Sequence, residues 1–310
     1  MRGAARGNLF MLGAFVYQIA AMILLIEISR LLGPFSDEHM ITFAAVTQVV
    51  VFLPPVAFYA ILNRRRLKEL LPFKKVNFAN LFFILLVVIV SQPVAMALSG
   101  FATIFFDNAV SEMINIFNNI SYPMTVLVVC VFPAVFEELP LRGIVQSEYR
   151  RSPMWIAAIV NGLFFGFIHL NLQQFPYAFF LGIVMFYLVY VTGSIISAIF
   201  AHFLFNFTQV TLAFFILNSE IVEQATTPVP DPSELILVWV AMFAIFLPIL
   251  IIILWAQTAY NKSIGNFPAV LAKEANIPEP GRLKRTVIIS FLAIVFVYAW
   301  FMLAVLNSPS

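Results

Sequence analysis

The sequence predicts an all-α, polytopic membrane bundle, and three observations carry that reading. Of the 310 residues, 62% are hydrophobic and only 10% charged, a composition outside the range of soluble domains; mean hydropathy is +0.99. The apolar runs are long and unbroken, as helical spans require, rather than alternating with period two as in a β-barrel. Basic and acidic loops alternate along the chain, as the positive-inside rule demands of successive crossings.

Apolar segments fall near 9–32, 41–62, 78–98, 122–149, 153–170, 175–193, 194–218, 234–258 and 286–306. They predict eight to nine spans in one integral membrane domain covering 1–310, with a kinked or conical core over 122–218. The first follows Arg2 and Arg6; it is too long for a secretory signal, and no clean small-residue cleavage site follows it. It reads as a retained span. The fifth is short enough to be partly re-entrant. The sixth and seventh are divided only by Thr192-Gly193-Ser194. Basic residues cluster at Arg64–Lys75, Arg150-Arg151 and Lys262–Arg285. Acidic ones lie at Asp37-Glu38, Asp107 with Glu112, and Glu220–Glu234. Nine crossings place the N-terminus in the cytoplasm and the C-terminus outside. Phe101–Ile120 reads as an interfacial amphipathic helix. The stretch 218–234, with Pro228, Pro230 and Pro232, reads as an extended loop.

Composition also excludes. A net charge of +2 gives no basis for a nucleic-acid partner. Cys130 is the single cysteine, so no intrachain disulfide forms, and it reads as a small buried hydrophobe.

The ionisable residues that lie clearly within the predicted spans include Glu27, Arg30, Glu137, Glu138, Arg142, His169 and His202. An intramembrane charge costs on the order of 3 kcal/mol on insertion scales and marks function or pairing. Glu138 and Arg142, four apart, share a helical face and can pair. Glu137 lies about 100° around the same helix. Pro140 cannot donate to the carbonyl of Phe136 and predicts a kink there. His202 and Asn206 share a face. One carboxylate and one imidazole make a base that can activate water; a second imidazole and a carboxamide offer donors to an oxyanion. That set suffices for amide hydrolysis. Counting along the helices puts His202 nearer the cytoplasmic side and His169 nearer the outer side, so they converge only through tilt, kink or stagger, expected at Pro140 and the short fifth segment. Glu27 and Arg30, three apart in the first span, read as a pair near its outer end.

Other membrane-protease chemistries are missing their residues. No His-Glu-x-x-His and no Gly-x-Ser-Gly occurs, and Asp37, Asp107 and Asp231 all fall in loops.

Glu137-Glu138-x-x-x-Arg142, Phe165-x-x-x-His169 and His202-x-x-x-Asn206, in that order on three segments, resemble the three motifs of the CPBP family of intramembrane proteases. This family includes type II CAAX prenyl endopeptidases and bacteriocin-processing or immunity proteases (the Abi family). The similarity covers roughly 122–210. It implies a catalytic core within 122–218 in which Glu137 and His169 activate water, His202 and Asn206 form the oxyanion hole, and Glu138 and Arg142 support the site. The implied function is endopeptidase cleavage of a membrane-associated or lipidated peptide or protein, with membrane lipid the other partner. The family is often described as metallo, and Glu137, His169 and His202 would be the zinc ligands. A metal-free mechanism needing no cofactor is favoured, because Asn206 supplies a separate donor and Glu138–Arg142 form an extra pair. The expected location is a bacterial cell membrane. Two rival classes remain at this level: an ion- or proton-coupled transporter, for which no internal repeat is seen, and a non-catalytic membrane immunity or scaffold protein.

Overall fold

A computed structural model describes residues 2–33, 37–107, 120–217, 232–266 and 285–306. Nine long helices account for nearly all of them: α1 (Arg2–Leu32), α2 (Asp37–Leu62), α3 (Phe78–Ala102), α4 (Tyr122–Tyr149), α5 (Met154–Ile168), α6 (Phe175–Thr192), α7 (Ile196–Leu217), α8 (Pro232–Ser263) and α9 (Arg285–Leu306). No strand occurs among the described residues. Most of Phe101–Ile120, nearly all of the 218–234 loop and the basic run from Lys273 to Lys284 lie outside them.

Side-chain contacts show which helix ends meet. Arg6 reaches Glu148, and Asn8 donates to the Val287 carbonyl at 3.0 Å. Ser194 Oγ donates to Lys74 O at 2.6 Å, and Asn80 Nδ2 donates to Asn261 Oδ1 at 3.0 Å. The start of α1, the loop around 63–76, the end of α4, the α6–α7 turn, the end of α8 and the start of α9 therefore share one face. Gln173 with Ser99, Gly100 beside Trp239 and Tyr122 with Thr211 gather the opposite ends. The helices alternate direction through all nine, as the charge pattern predicts. The basic loops carrying Arg64, Lys68, Lys74 and Arg150 lie on the first face. There Arg150 donates to Glu69 at 3.0 Å, and its guanidinium, helped by Arg66, holds the exposed Glu69 carboxyl below the ordinary carboxylate value.

Eight helices are long and apolar enough to span a membrane; α5, with 15 residues, is not. At 1.5 Å per residue it covers only about 22 Å of a ~30 Å hydrocarbon layer. Its last carbonyl, Ile168 O, accepts from Gln18 Nε2 at 2.6 Å, deep within α1. The turn after it therefore lies at membrane depth, where irregular backbone survives only with protein partners. Leu170, with φ 50°, is the single non-glycine residue with positive φ among the described residues, an expense of roughly 1 kcal/mol.

α6 ends as its sequence requires. Gly193 takes the left-handed conformation (φ 69°) and donates to Val189 O at 2.8 Å. The boundary between the sixth and seventh segments is thus a real break. α5 and α6 touch backbone to backbone: a Cβ on Gly182 would stand 2.7 Å from Gly162 Cα and 2.9 Å from Phe165 Cβ. Small residues allow this approach, which in lipid replaces the absent hydrophobic drive.

The core lies around α4. Phe15, Leu141, Ile144, Phe164, Phe165, Met185 and Leu188 are buried, whereas Leu31, Phe78, Leu237, Trp255 and Phe296 stand exposed, as lipid-facing residues do. Cys130 is buried and free. Glu27 and Arg30 pair at 2.8 Å on an exposed surface.

Because no side chain fits at Gly182, Gly182→Val is expected to lower stability by about 1–3 kcal/mol. Thermal unfolding in detergent measures this, and an unchanged midpoint would contradict the close approach of α5 and α6.

Candidate active site

α4 is not a regular helix. Two stretches, Val126–Val131 and Leu139–Val145, are wound as π-helix, flanking the α-helical turn Phe132–Phe136. Pro140 removes one i−4 donor. The wider winding is the form the predicted kink takes, and such π segments recur at functional sites. Glu137 and Glu138 sit at the entry to the second stretch, and Arg142 inside it.

Glu138 and Arg142 are both fully buried. Arg142 Nη1 donates to Glu138 Oε1 at 3.2 Å, while Nε lies 3.2 Å from Oε2 without hydrogen-bond alignment. Arg142 Nη2 donates to Gly182 O at 3.0 Å. Its guanidinium carbon stands 4.5 Å from the centre of the Phe165 ring, so the cation also meets a π-face. The supporting pair expected from the sequence is present, and α6 and α5 each contribute to holding it.

His202 Nδ1 lies 3.0 Å from Glu138 Oε1. A carboxylate only accepts, so Nδ1 carries the proton and Nε2 is left open. His169 Nδ1 lies 2.7 Å from Phe165 O. A carbonyl also only accepts, so His169 has the same tautomer, again with Nε2 open. The Phe165 ring stands edge-on to both imidazoles, with centroids 5.0 Å from His169 and 5.5 Å from His202. The two histidines, expected at different depths, therefore flank one ring. The early end of α5 lowers His169 to that level.

Glu137 is 7% exposed, and its Oε2 has no protein partner. It lies within electrostatic reach of His169, Arg142 and Tyr177. Asn206, on α7 one turn beyond His202, donates from Nδ2 to Val129 O at 3.0 Å, in the first π stretch. One of its two N–H bonds is thereby committed to α4, and the other remains for a ligand. The structure thus brings Glu138, Arg142 and His202 into direct contact, sets His169 beside Phe165 and near Glu137, and ties Asn206 to α4.

Among the described residues, no three His, Cys, Asp or Glu side chains are gathered where they could hold a metal ion. Glu137, His169 and His202 do not meet as a ligand set, although each open Nε2 has the second-shell partner that metal-bound histidines use.

Sequence reasoning missed several residues that shape the site. Gln18 and Gly182 left no signal beyond ordinary span composition, and Phe165 stood in the motif Phe165-x-x-x-His169 with nothing to show that its ring meets both histidines. Glu148 did: it is a third acid in the same apolar segment, one step from Tyr149 and the Arg150-Arg151 pair.

An all-helical membrane bundle with a carboxylate, two tautomer-fixed imidazoles and a carboxamide around one partly π-wound helix has the parts of an intramembrane hydrolase. The comparison with known families agrees: residues 119–208 match the model described as type II CAAX prenyl endopeptidase Rce1-like. The match takes in all three motifs, is consistent with the resemblance to CPBP intramembrane proteases, and at family level indicates a multi-pass membrane protease. No curated protein and no solved structure matches the chain.

The geometry separates the two glutamates by stability. Arg142→Met, which strands Glu138, is expected to cost about 3–5 kcal/mol. Glu137→Gln removes a charge with no direct ion-pair partner and is expected to cost far less. Unfolding of both variants in detergent compares them; equal losses would overturn the division.

Proposed function

We propose that this chain is an intramembrane endopeptidase that hydrolyses a peptide bond in a membrane-associated or lipidated peptide or protein, in CAAX-type processing. The observation that carries the reading is the buried Glu137, with one carboxylate oxygen unpartnered, beside a His169 whose Nδ1 is committed and whose Nε2 is open. The family match over 119–208 supports it.

In this reading Glu137 and His169 Nε2 together take a proton from water, which attacks the scissile carbonyl. No covalent enzyme intermediate forms. The carbonyl oxygen becomes an oxyanion and needs donors. Asn206 supplies its remaining N–H. His202 can donate from Nε2 only when both ring nitrogens are protonated, because Nδ1–H already points at Glu138. Glu138 accepts from that Nδ1–H, and Arg142 pairs with Glu138. The proton held by Glu137 then passes to the leaving amine. The base thus stands apart from the charged pair that serves the oxyanion side. The chemistry uses protein groups alone, with no cofactor.

The test is cleavage of a lipidated peptide by the full chain in lipid vesicles. Glu137→Gln and His169→Asn are each expected to lower kcat by about 100- to 10,000-fold, the usual size of a general-base contribution. Full proteolysis in either variant sinks the assignment. Activity that survives dialysis against a strong chelator is also expected, and loss restored by zinc would overturn the metal-free mechanism.

The basic face is the cytoplasmic one in this reading. A fluorescent reporter that matures only in the cytoplasm is therefore expected to shine from the N-terminus and stay dark on the C-terminus. The reverse pattern would invert the bundle.

A further inference from the structure

Among the described residues, Glu148 is the one buried acid outside the Glu137–Glu138 cluster. It lies three turns along α4 from Glu137, at the basic face. Arg6 donates to its Oε2 from Nη2 at 2.7 Å and from Nε at 3.2 Å. Arg66 Nη1 donates to Oε1 at 2.8 Å, and Tyr59 O–H donates to the same oxygen at 3.2 Å. Three elements, α1, α2 and the loop after α2, thus converge on one carboxylate. α1 comes so close that a Cβ at Gly3 would collide with the Glu148 carbonyl oxygen.

The neighbouring residues are held as well. Ser147 Oγ donates to Glu69 O at 2.8 Å, Tyr149 O–H donates to Asn8 Oδ1, and Arg150 pairs with Glu69 at 3.0 Å. The mechanism uses none of these contacts. Their place explains them: they begin two residues after the π stretch Leu139–Val145 ends.

A π turn bonds i to i+5 and is less favourable than the α turn it replaces. Relaxing it to α shifts the register by one residue, a rotation of about 100°. Such a rotation would turn Glu137 and Glu138 away from His169 and His202. Only restraint at both ends prevents it. Glu138 with His202 and Arg142 with Gly182 hold the upstream part. The downstream end is held where Glu148 is.

We propose that Glu148 is a positioning residue: bound by Arg6, Tyr59 and Arg66, it fixes the downstream end of the π stretch and thereby the direction in which Glu137 faces. The activity part of its test rests on the endopeptidase reading; the exchange part does not.

The experiment compares the full chain with Glu148→Gln and with Arg6→Gln in vesicles. Arg6 is half exposed, so its variant guards against simple misfolding of the first. Hydrogen exchange followed by mass spectrometry is expected to rise by roughly tenfold or more over 137–145, while α3 and α8 keep their protection. With a lipidated peptide, kcat is expected to fall by on the order of 100-fold for Glu148→Gln, the penalty of a small misplacement, and KM to stay near the parent value. Unchanged exchange over 137–145 in both variants overturns the proposal. An equal rise in every helix also overturns it, since that is global loosening. If the parent cleaves no peptide but the local exchange change appears, the endopeptidase reading fails and the positioning role stands.

Discussion

The buried Glu138–Arg142 pair is the interaction on which the site depends. Two opposite charges at membrane depth are tolerable only together, because each alone faces a desolvation penalty of several kcal/mol. Their mutual contact is not enough, since a guanidinium has five N–H donors and a carboxylate about four acceptor positions. Those valences recruit the neighbours: Gly182 O from α6, the Phe165 face from α5 and His202 from α7. An ion pair within one helix thus draws three other helices to fixed positions. The Gly162–Gly182 contact is part of the same arrangement, because it brings the Gly182 carbonyl to where Arg142 can reach it.

The second constraint is depth. A histidine at the end of a full-length span would lie at the membrane surface, far from Glu138. α5 stops after 15 residues, so His169 and the following turn remain inside. Ending a helix there would orphan its last carbonyls. Gln18 from α1 answers one of them, and the His169 imidazole answers another by donating to Phe165 O. One hydrogen bond therefore caps the helix and sets the tautomer that leaves Nε2 open. The end of the helix and the orientation of the ring share a single contact.

Much of this was legible in the sequence. Hydropathy and loop charge gave the helices and their alternation, because in lipid every backbone group must be satisfied within a helix and little other choice exists. The Glu138–Arg142 pair followed from helical spacing alone. Pro140 announced an irregularity, but proline chemistry says only that one hydrogen bond is missing; whether the chain bends or winds wider is decided by packing, and here two π stretches resulted. The Glu138–His202 contact was out of reach, because spacing within α7 groups His202 with Asn206 and says nothing about which residue of α4 it meets. Glu148 was passed over because a glutamate beside two arginines at the end of a span looks like a solvated interface residue. Its burial comes from α1, α2 and the following loop folding over it.

In the proposed reaction the two imidazoles take different tasks, and their partners bear on which takes which. Both histidines have Nδ1 committed and Nε2 open, yet their partners differ in kind. His169 donates to a neutral carbonyl, which fixes its orientation and leaves Nε2 open. His202 donates to a carboxylate, which orients its ring against Glu138 and leaves Nε2 open. Arg142 sharpens the contrast, because it donates to the same Glu138 oxygen that His202 meets. The division of labour proposed for the histidines thus rests on one difference, a carbonyl at Phe165 and a carboxylate at Glu138, and the adjacent glutamates differ in the same way: Glu138 is paired with Arg142, and one oxygen of Glu137 has no protein partner.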